Sequence, residues 1–277
     1  MDAAGQSEKA LEFTNPEVTL YSADVAASLR FYRDVLGFAE SRREPQSGAF
    51  PGPTLVLGPL TLGLASMDAV EPIRGEPRGR GPPRFELDFN TEDVDGAYGW
   101  ATSHGAPSVK APYDFLGYIH SACVADPDGN HISFYTRLPV TVSADPAARP
   151  TLKNHLFNLY SNHIEESLQL YRGILNFTET FRVPRQGSPS HVEMELGALN
   201  LGVSTVEALK RDHGLSGGGG PPRSELVLSA EHVDGAYARL RARGVPSLIP
   251  PHDVGGSRRK AWVADPDGNP IQIAGRA

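Results

Sequence analysis

A chain of 277 residues, 39% apolar and 21% charged, has the composition of a folded protein able to bury a core in each of about two domains. Its net charge of −7 argues against nucleic acid or an anionic membrane surface as partner, and the short Arg258-Arg259-Lys260 cluster does not alter that. The single cysteine, Cys123, excludes an internal disulfide framework, and its apolar setting reads as a buried, inert thiol. No signal peptide or transmembrane run is recognisable, so the expected compartment is the cytoplasm.

In chain order, residues 1–15 are small and polar and are expected to be disordered. Glu17 to Tyr21 alternate as a half-buried strand. Asp24 caps a helix to about Leu36 with Leu29, Tyr32 and Leu36 as its inner stripe, and Gly37 stops it. Three short strands fill 39–66, the last two being Thr54–Leu57 and Leu60–Ala65, and Met67 to Pro83 reads as an exposed crossover. The order then repeats: strand Phe85–Asn90, helix Val94–His104, Gly105 as the stop, and strands near 107–111, 117–125 and 131–137. A proline-containing linker, 139–152, precedes strand Leu156–Tyr160, helix Ile164–Leu175, strands to Val203 and a Ser216–Gly220 crossover. Strand Glu225–Ser229, helix Val233–Arg243 and a hairpin complete the chain. The glycine run 217–220 lacks a following Lys-Ser/Thr and is not a phosphate cradle.

One number organises these elements. Asp126-Pro127-Asp128-Gly129-Asn130 returns as Asp265-Pro266-Asp267-Gly268-Asn269, 139 residues on, each time between apolar runs as in a β-hairpin. The same offset relates Phe31-Tyr32-Arg33 to Leu170-Tyr171-Arg172, Pro82-Pro83-Arg84 to Pro221-Pro222-Arg223, and Val94-Asp95-Gly96-Ala97-Tyr98 to Val233-Asp234-Gly235-Ala236-Tyr237. A weaker period inside each half makes four β-α-β-β-β modules. The expected fold is α+β: two tandem domains, 16–138 and 153–277, each a pair of modules forming a curved sheet with helices on its convex face. Tyr32, Tyr98, Tyr171 and Tyr237 recur on the helices as packing residues.

These paired modules, the Phe31-Tyr32-Arg33-Asp34-Val35-Leu36-Gly37-Phe38 stretch and the closing Asp-Pro-Asp-Gly hairpins resemble the vicinal oxygen chelate superfamily, which includes glyoxalase I, extradiol dioxygenases and bleomycin-resistance proteins. The resemblance covers roughly 15–277 and implies a divalent metal held by the first and last strands of each module. Carried over by position, those places hold Glu17, Gly63, Glu86 and Ser133 in the first half, and Leu156, Gly202, Glu225 and Gln272 in the second. A working site needs three or four His, Glu or Gln ligands, so the metal signature is broken in both halves. His155 points to the other face of its strand. The expectation is no metal and no cofactor.

The concave faces carry the candidate ligand-binding residues. Glu17 and Glu86 fall on corresponding positions; in a paired sheet they could approach one another, as a general base or half of a metal site, or as solvated or Arg-paired acids. Thr19, Tyr21, Asp88, Asn90, His120, Ser133 and Tyr135 join them in the first cavity. Asn158, Tyr160, His191, Glu193, Glu225, Val227, Trp262 and Gln272 line the second, with Trp262 either a stacking wall or core filling. There is no Ser-His-Asp or Cys-His signature. The leading expectation is a metal-free binder of a bulky aromatic compound, monomer or homodimer, resembling resistance proteins and natural-product accessory proteins. The rivals are a metal-dependent lyase, isomerase or dioxygenase, and a metal-independent enzyme with Glu17 or Glu86 as base.

Overall fold

The structure is a computed structural model, and describes residues 12–41, 52–74, 81–139, 149–255 and 257–276. The first module runs β1 (Thr14–Ser22), α1 (Val25–Arg30, continued by π-helical turns over Phe31–Val35), β2 (Ala39–Ser41), β3 (Thr54–Leu57) and β4 (Leu60–Ser66), and is followed by α2 (Met67–Arg74). The second is β5 (Phe85–Asn90), α3 (Val94–Ser103), β6 (Ser108–Phe115), β7 (Ile119–Ala125) and β8 (His131–Arg137). The third is β9 (Lys153–Ser161), α4 (Ile164–Leu168, continued over Gln169–Ile174), β10 (Thr178–Val183), β11 (His191–Leu196) and β12 (Leu199–Thr205), followed by α5 (Val206–Ala208, continued over Leu209–His213). The fourth is β13 (Ser224–Ser229), α6 (Val233–Ala242), β14 (Ser247–Asp253), β15 (Arg258–Ala264) and β16 (Pro270–Arg276).

The local signals act as expected where they fall on described residues. Asp24 Oδ1 accepts from the Ala27 amide at 3.0 Å, capping α1, and Gly37 ends that helix with a φ of +87° that a side chain would strain. Of the segment expected to be disordered, 1–15, the described part is ordered: β1 begins at Thr14, and Phe13 is buried because its ring has a core to enter. Residues 1–11, and 140–148 of the expected linker, lie outside the described residues. The Met67–Pro83 crossover contains a helix, α2, and a second helix, α5, precedes the Ser216–Gly220 crossover; the sequence reading passed over both.

The four modules assemble into two eight-stranded sheets, with helices, as an α+β fold. Sheet A has the order β14-β15-β16-β13-β1-β4-β3-β2, and sheet B the order β10-β11-β12-β9-β5-β8-β7-β6. The partners are crosswise. The first module joins the fourth through antiparallel β1 and β13, with Thr19 opposite Glu225. The second joins the third through antiparallel β5 and β9, with Glu86 opposite Asn158. The expectation that each sheet is built within one half is thereby corrected. Repeated modules present the same strand edge, so a repeat pattern does not tell a partner in the same half from its counterpart in the other.

What joins the two modules of each half is the repeated turn. Asp126 Oδ1 accepts from the Asp128 and Asn130 amides at 2.9 and 2.8 Å, and Oδ2 from Asn130 Nδ2 at 2.8 Å. The turn then docks on the N-terminus of α1 in the other sheet: Asp128 accepts from the Ala23 amide at 2.8 Å and from Ser28 Oγ at 2.9 Å. Asp265 and Asp267 repeat the arrangement, the latter accepting from the Asn162 amide at 2.9 Å. One continuous core of residues from all four modules fills the body, for example Phe38 edge-on to Phe89 at 6.0 Å.

Candidate functional site

The concave face of sheet B encloses a cavity of about 730 Å³. Strand alternation places Glu86, Asp88 and Asn90 of β5 on its floor, beside Leu156 and Asn158 of β9, Ser133 and Tyr135 of β8, Ser204 of β12, and His191 and Glu193 of β11. Its walls come from the β6–β7 hairpin tip (Phe115, Leu116, Tyr118), from Phe181 and Val183 of β10, and from Leu209, Arg211, Asp212 and His213 of α5. Leu116, Tyr118 and Phe181 are 53%, 48% and 42% exposed, so the mouth is apolar and open to solvent.

Glu86 is the centre of the floor. It is 6% exposed and accepts from Asn158 Nδ2 on one oxygen and from Ser133 Oγ on the other, each at 2.8 Å. A chain of hydrogen bonds continues across the strands: Asn158 Nδ2 to Ser204 Oγ at 2.9 Å, Ser204 Oγ with His191 Nδ1 at 2.8 Å, and His191 Nε2 with Glu193 at 3.3 Å. Gly202 lies under this chain, since a Cβ there would come within 2.5 Å of Asn158 Oδ1. Burial, together with the carboxylates of Glu86 and Glu193, pushes the Asp88 carboxyl well above its ordinary range. Burial also lowers His213, whose Nδ1 lies 2.6 Å from the Tyr113 hydroxyl, and raises the Cys123 thiol, which is buried and unreactive.

Sheet A repeats the centre with different chemistry. Glu225, opposite Thr19, accepts from Trp262 Nε1 at 2.7 Å and from Gln272 Nε2 at 2.9 Å. Trp262 is 1% exposed and stacks on His252 at 5.6 Å, so it fills the sheet. Lys260 is buried beside it on the same strand, and burial lowers its ammonium to about 7.

The site residues expected from sequence thus divide. Asp88, Ser133, Tyr135, Asn158 and His191 meet in the sheet B cavity around Glu86. Tyr160 borders it beneath α5, its hydroxyl 2.9 Å from His131 Nδ1. Thr19, Tyr21, Glu225, Trp262 and Gln272 belong to sheet A, where Tyr21 packs with Ala65, Met67 and Val70. Two expectations are corrected. Glu17 and Glu86 do not approach one another: Glu17 is on β1 in sheet A, opposite Val227, and the crosswise pairing sets Asn158 against Glu86. His120 lies off the cavity, where Asp114 and Asp95 hold it at 2.5 and 2.9 Å; burial opposes its charge but these two acids raise it above the usual histidine value. Arg259, its counterpart 139 residues on, sits likewise between Asp234 and Asp253. The reading missed α5, although Thr205 caps it through the Ala208 amide at 3.1 Å and Gly214 ends it at φ +66°. It also missed the hairpin tip at the mouth.

The residues do not fit a metal of the kind the resemblance implies. Glu86 has Gly202, Asn158 and Ser133 about it and Glu225 has Gly63, Thr19, Trp262 and Gln272, and both oxygens of each of these two carboxylates already accept from neighbours. Among the described residues no three His, Cys, Asp or Glu side chains cluster in a way that would hold an ion.

The fold, the paired modules and the closing hairpins define one class, and the comparisons agree. A sequence profile of the Glyoxalase/Bleomycin resistance protein/Dioxygenase superfamily matches residues 16–134 and 153–273, and the chain belongs to that family. It is similar in fold to glyoxalase I from Zea mays, with TM-score 0.62 and 15% identity over 94% of this chain and 92% of that one. It is similar also to a putative dioxygenase from Bacillus subtilis subsp. subtilis str. 168, with TM-score 0.51 and 14% identity over 94% and 84% of the two chains. None of the curated proteins matches it. No helix among the described residues is long and apolar enough to cross a membrane.

Proposed function

We propose that this protein is a metal-free small-molecule-binding member of its family, taking a bulky, largely aromatic compound into the sheet B cavity. A sequestering role in resistance, or a presenting role beside a biosynthetic pathway, suits such a protein, and the cytoplasm suits its composition. The observation that carries the reading is the cavity itself. At about 730 Å³ it lies within the range of drug-sized sites, and its aromatic mouth surrounds a small set of fixed polar groups. The central carboxylates support it too, since each is spent on internal hydrogen bonds.

A second reading, metal-independent acid–base chemistry, draws support from one residue. Asp88 lines the cavity with a carboxyl that burial and its acidic neighbours raise well above its ordinary range, the direction a general acid needs. Of the two bases offered by the sequence, Glu86 lines that cavity beside Asp88, and Glu17 lies on β1 in the other sheet.

The test is mass spectrometry of the protein under native conditions after purification, followed by calorimetric titration with planar aromatic compounds. Binding that Phe181→Ala and Tyr118→Ala weaken, and that Trp262→Phe leaves alone, supports the reading. Failure of all such compounds to bind overturns it, and conversion of a bound compound to product favours the second reading.

A further inference from the structure

We propose that the sheet B cavity selects aromatic ligands that carry a basic nitrogen, with the protonated nitrogen directed inward to Asp88 and Glu193. This rests on the reading of the cavity as an aromatic-binding site, and adds the polarity of what enters.

The cavity is amphipathic along its depth. Its exposed rim is Leu116, Tyr118 and Phe181, a surface for a flat apolar body. Its floor is acidic and its acids differ in what they have left to give. Glu86 is already engaged on both oxygens, by Asn158 on one and by Ser133 on the other. Asp88, two residues along β5 on the same face, has no ion-pair partner among the described residues. Glu193 lines the same cavity from β11, its charge adds to the rise of the Asp88 carboxyl, and its side chain meets His191 Nε2 at a long 3.3 Å.

The cations of the lining do not cancel this floor. Arg211 is held by Asp212 through two bonds of 2.7 Å. His213 is kept neutral by burial. Arg137 is at the exposed end of β8, at the rim. Burial first, and then the neighbouring Glu86 and Glu193, make an ionised Asp88 unfavourable in the free protein, which is why its carboxyl is raised. A cation at this floor offsets part of that cost and gains charge-assisted hydrogen bonds from its acids. An anionic head group would add negative charge to the same floor.

Three tricyclic probes of one shape separate the possibilities: 9-aminoacridine, which is cationic at neutral pH, 9-anthracenemethanol, which is neutral, and anthracene-9-carboxylate. Dissociation constants are measured by fluorescence anisotropy in low salt at neutral pH. The expected result is a preference of about ten- to a hundredfold for 9-aminoacridine over the neutral probe, the range for charge-assisted hydrogen bonds. Asp88→Asn and Glu193→Gln should each move the ratio of the two affinities towards one. Glu193→Gln gives an independent reading if Asp88→Asn fails to fold. Equal binding of the charged and neutral probes, or a ratio that neither variant changes, overturns cation selection and leaves the aromatic-binding reading standing. Tightest binding of the carboxylate also overturns it. If none of the three binds, both the inference and the reading beneath it fail.

Discussion

The Tyr32 hydroxyl donates to Asp126 Oδ2 at 2.8 Å with both side chains buried, although Tyr32 belongs to a module of sheet A and Asp126 to a hairpin of sheet B. Tyr171 and Asp265 make the same bond at 2.9 Å in the other half. A tyrosine on a helix and an acid in a turn thus clamp together two modules that share no sheet.

Removing that clamp should cost stability and change its pH dependence. Tyr32→Phe takes one donor from a buried carboxylate and should destabilise by about 1–3 kcal/mol in urea denaturation. Burial raises Asp126 and Asp265 to about 6 against the pull of their donors. Unfolded, each titrates near about 4. A carboxyl raised on folding contributes stability that is complete below the unfolded value and lost as pH climbs through the folded one. The melting temperature should therefore carry a falling component between about pH 4 and pH 6. Asp126→Asn should flatten it by roughly half; Asp88 has the same sign but cancels between wild type and variant. A profile that Asp126→Asn leaves unchanged would count against this account.

Asn158 and Gly202 should behave as a coupled pair. Asn158→Ala leaves one oxygen of the buried Glu86 without its donor, a loss of about 1–3 kcal/mol. Gly202→Ala drives a methyl group into the Asn158 amide and should destabilise on its own. In the Asn158→Ala background its cost should shrink, since the amide it strikes is gone. A double-mutant cycle in urea measures the difference, and strict additivity would show that the glycine is not there for the amide.

Trp262 should matter for folding and be silent in binding. Trp262→Phe strips a donor from Glu225 and opens space beneath His252, for an expected loss of about 1–3 kcal/mol. Titration of the sheet B cavity should leave Trp262 emission unquenched, because the residue is fully buried in the other sheet. Strong quenching that Trp262→Phe abolishes would move the binding site to sheet A.

Chelators and divalent cations should leave thermal stability unchanged. Dialysis against EDTA followed by readdition of Zn, Fe, Mn or Ni is the measurement. Stoichiometric metal that survives dialysis and is lost on Glu86→Ala would contradict the fit of these side chains.

Much of the fold was legible because its signals are local. Asp24 as a cap, Gly37 at φ +87° and the Asp-Pro-Asp-Gly-Asn turns each act through their own backbone. The cavity floor was legible in part, since strand alternation alone put Asp88, Ser133 and Asn158 on one face. Partner choice was not, because Thr19 and Asn158 are equivalent positions and either strand edge accepts the same neighbour. Glu17 was misplaced for that reason. His120 was misread because its orientation depends on Asp95 and Asp114, which lie in other elements.

The crosswise sheets have a consequence for dividing the molecule. Cutting the chain at the repeat boundary separates β1 from β13 and β5 from β9, so each fragment would present two open strand edges and half of each concave face. The covalent repeat is not the folding unit. A fragment spanning residues 12–139 can close those edges only on another copy, module against reciprocal module, or on the missing fragment. The intact chain is in this sense a strand-exchanged dimer whose two subunits have been tied end to end.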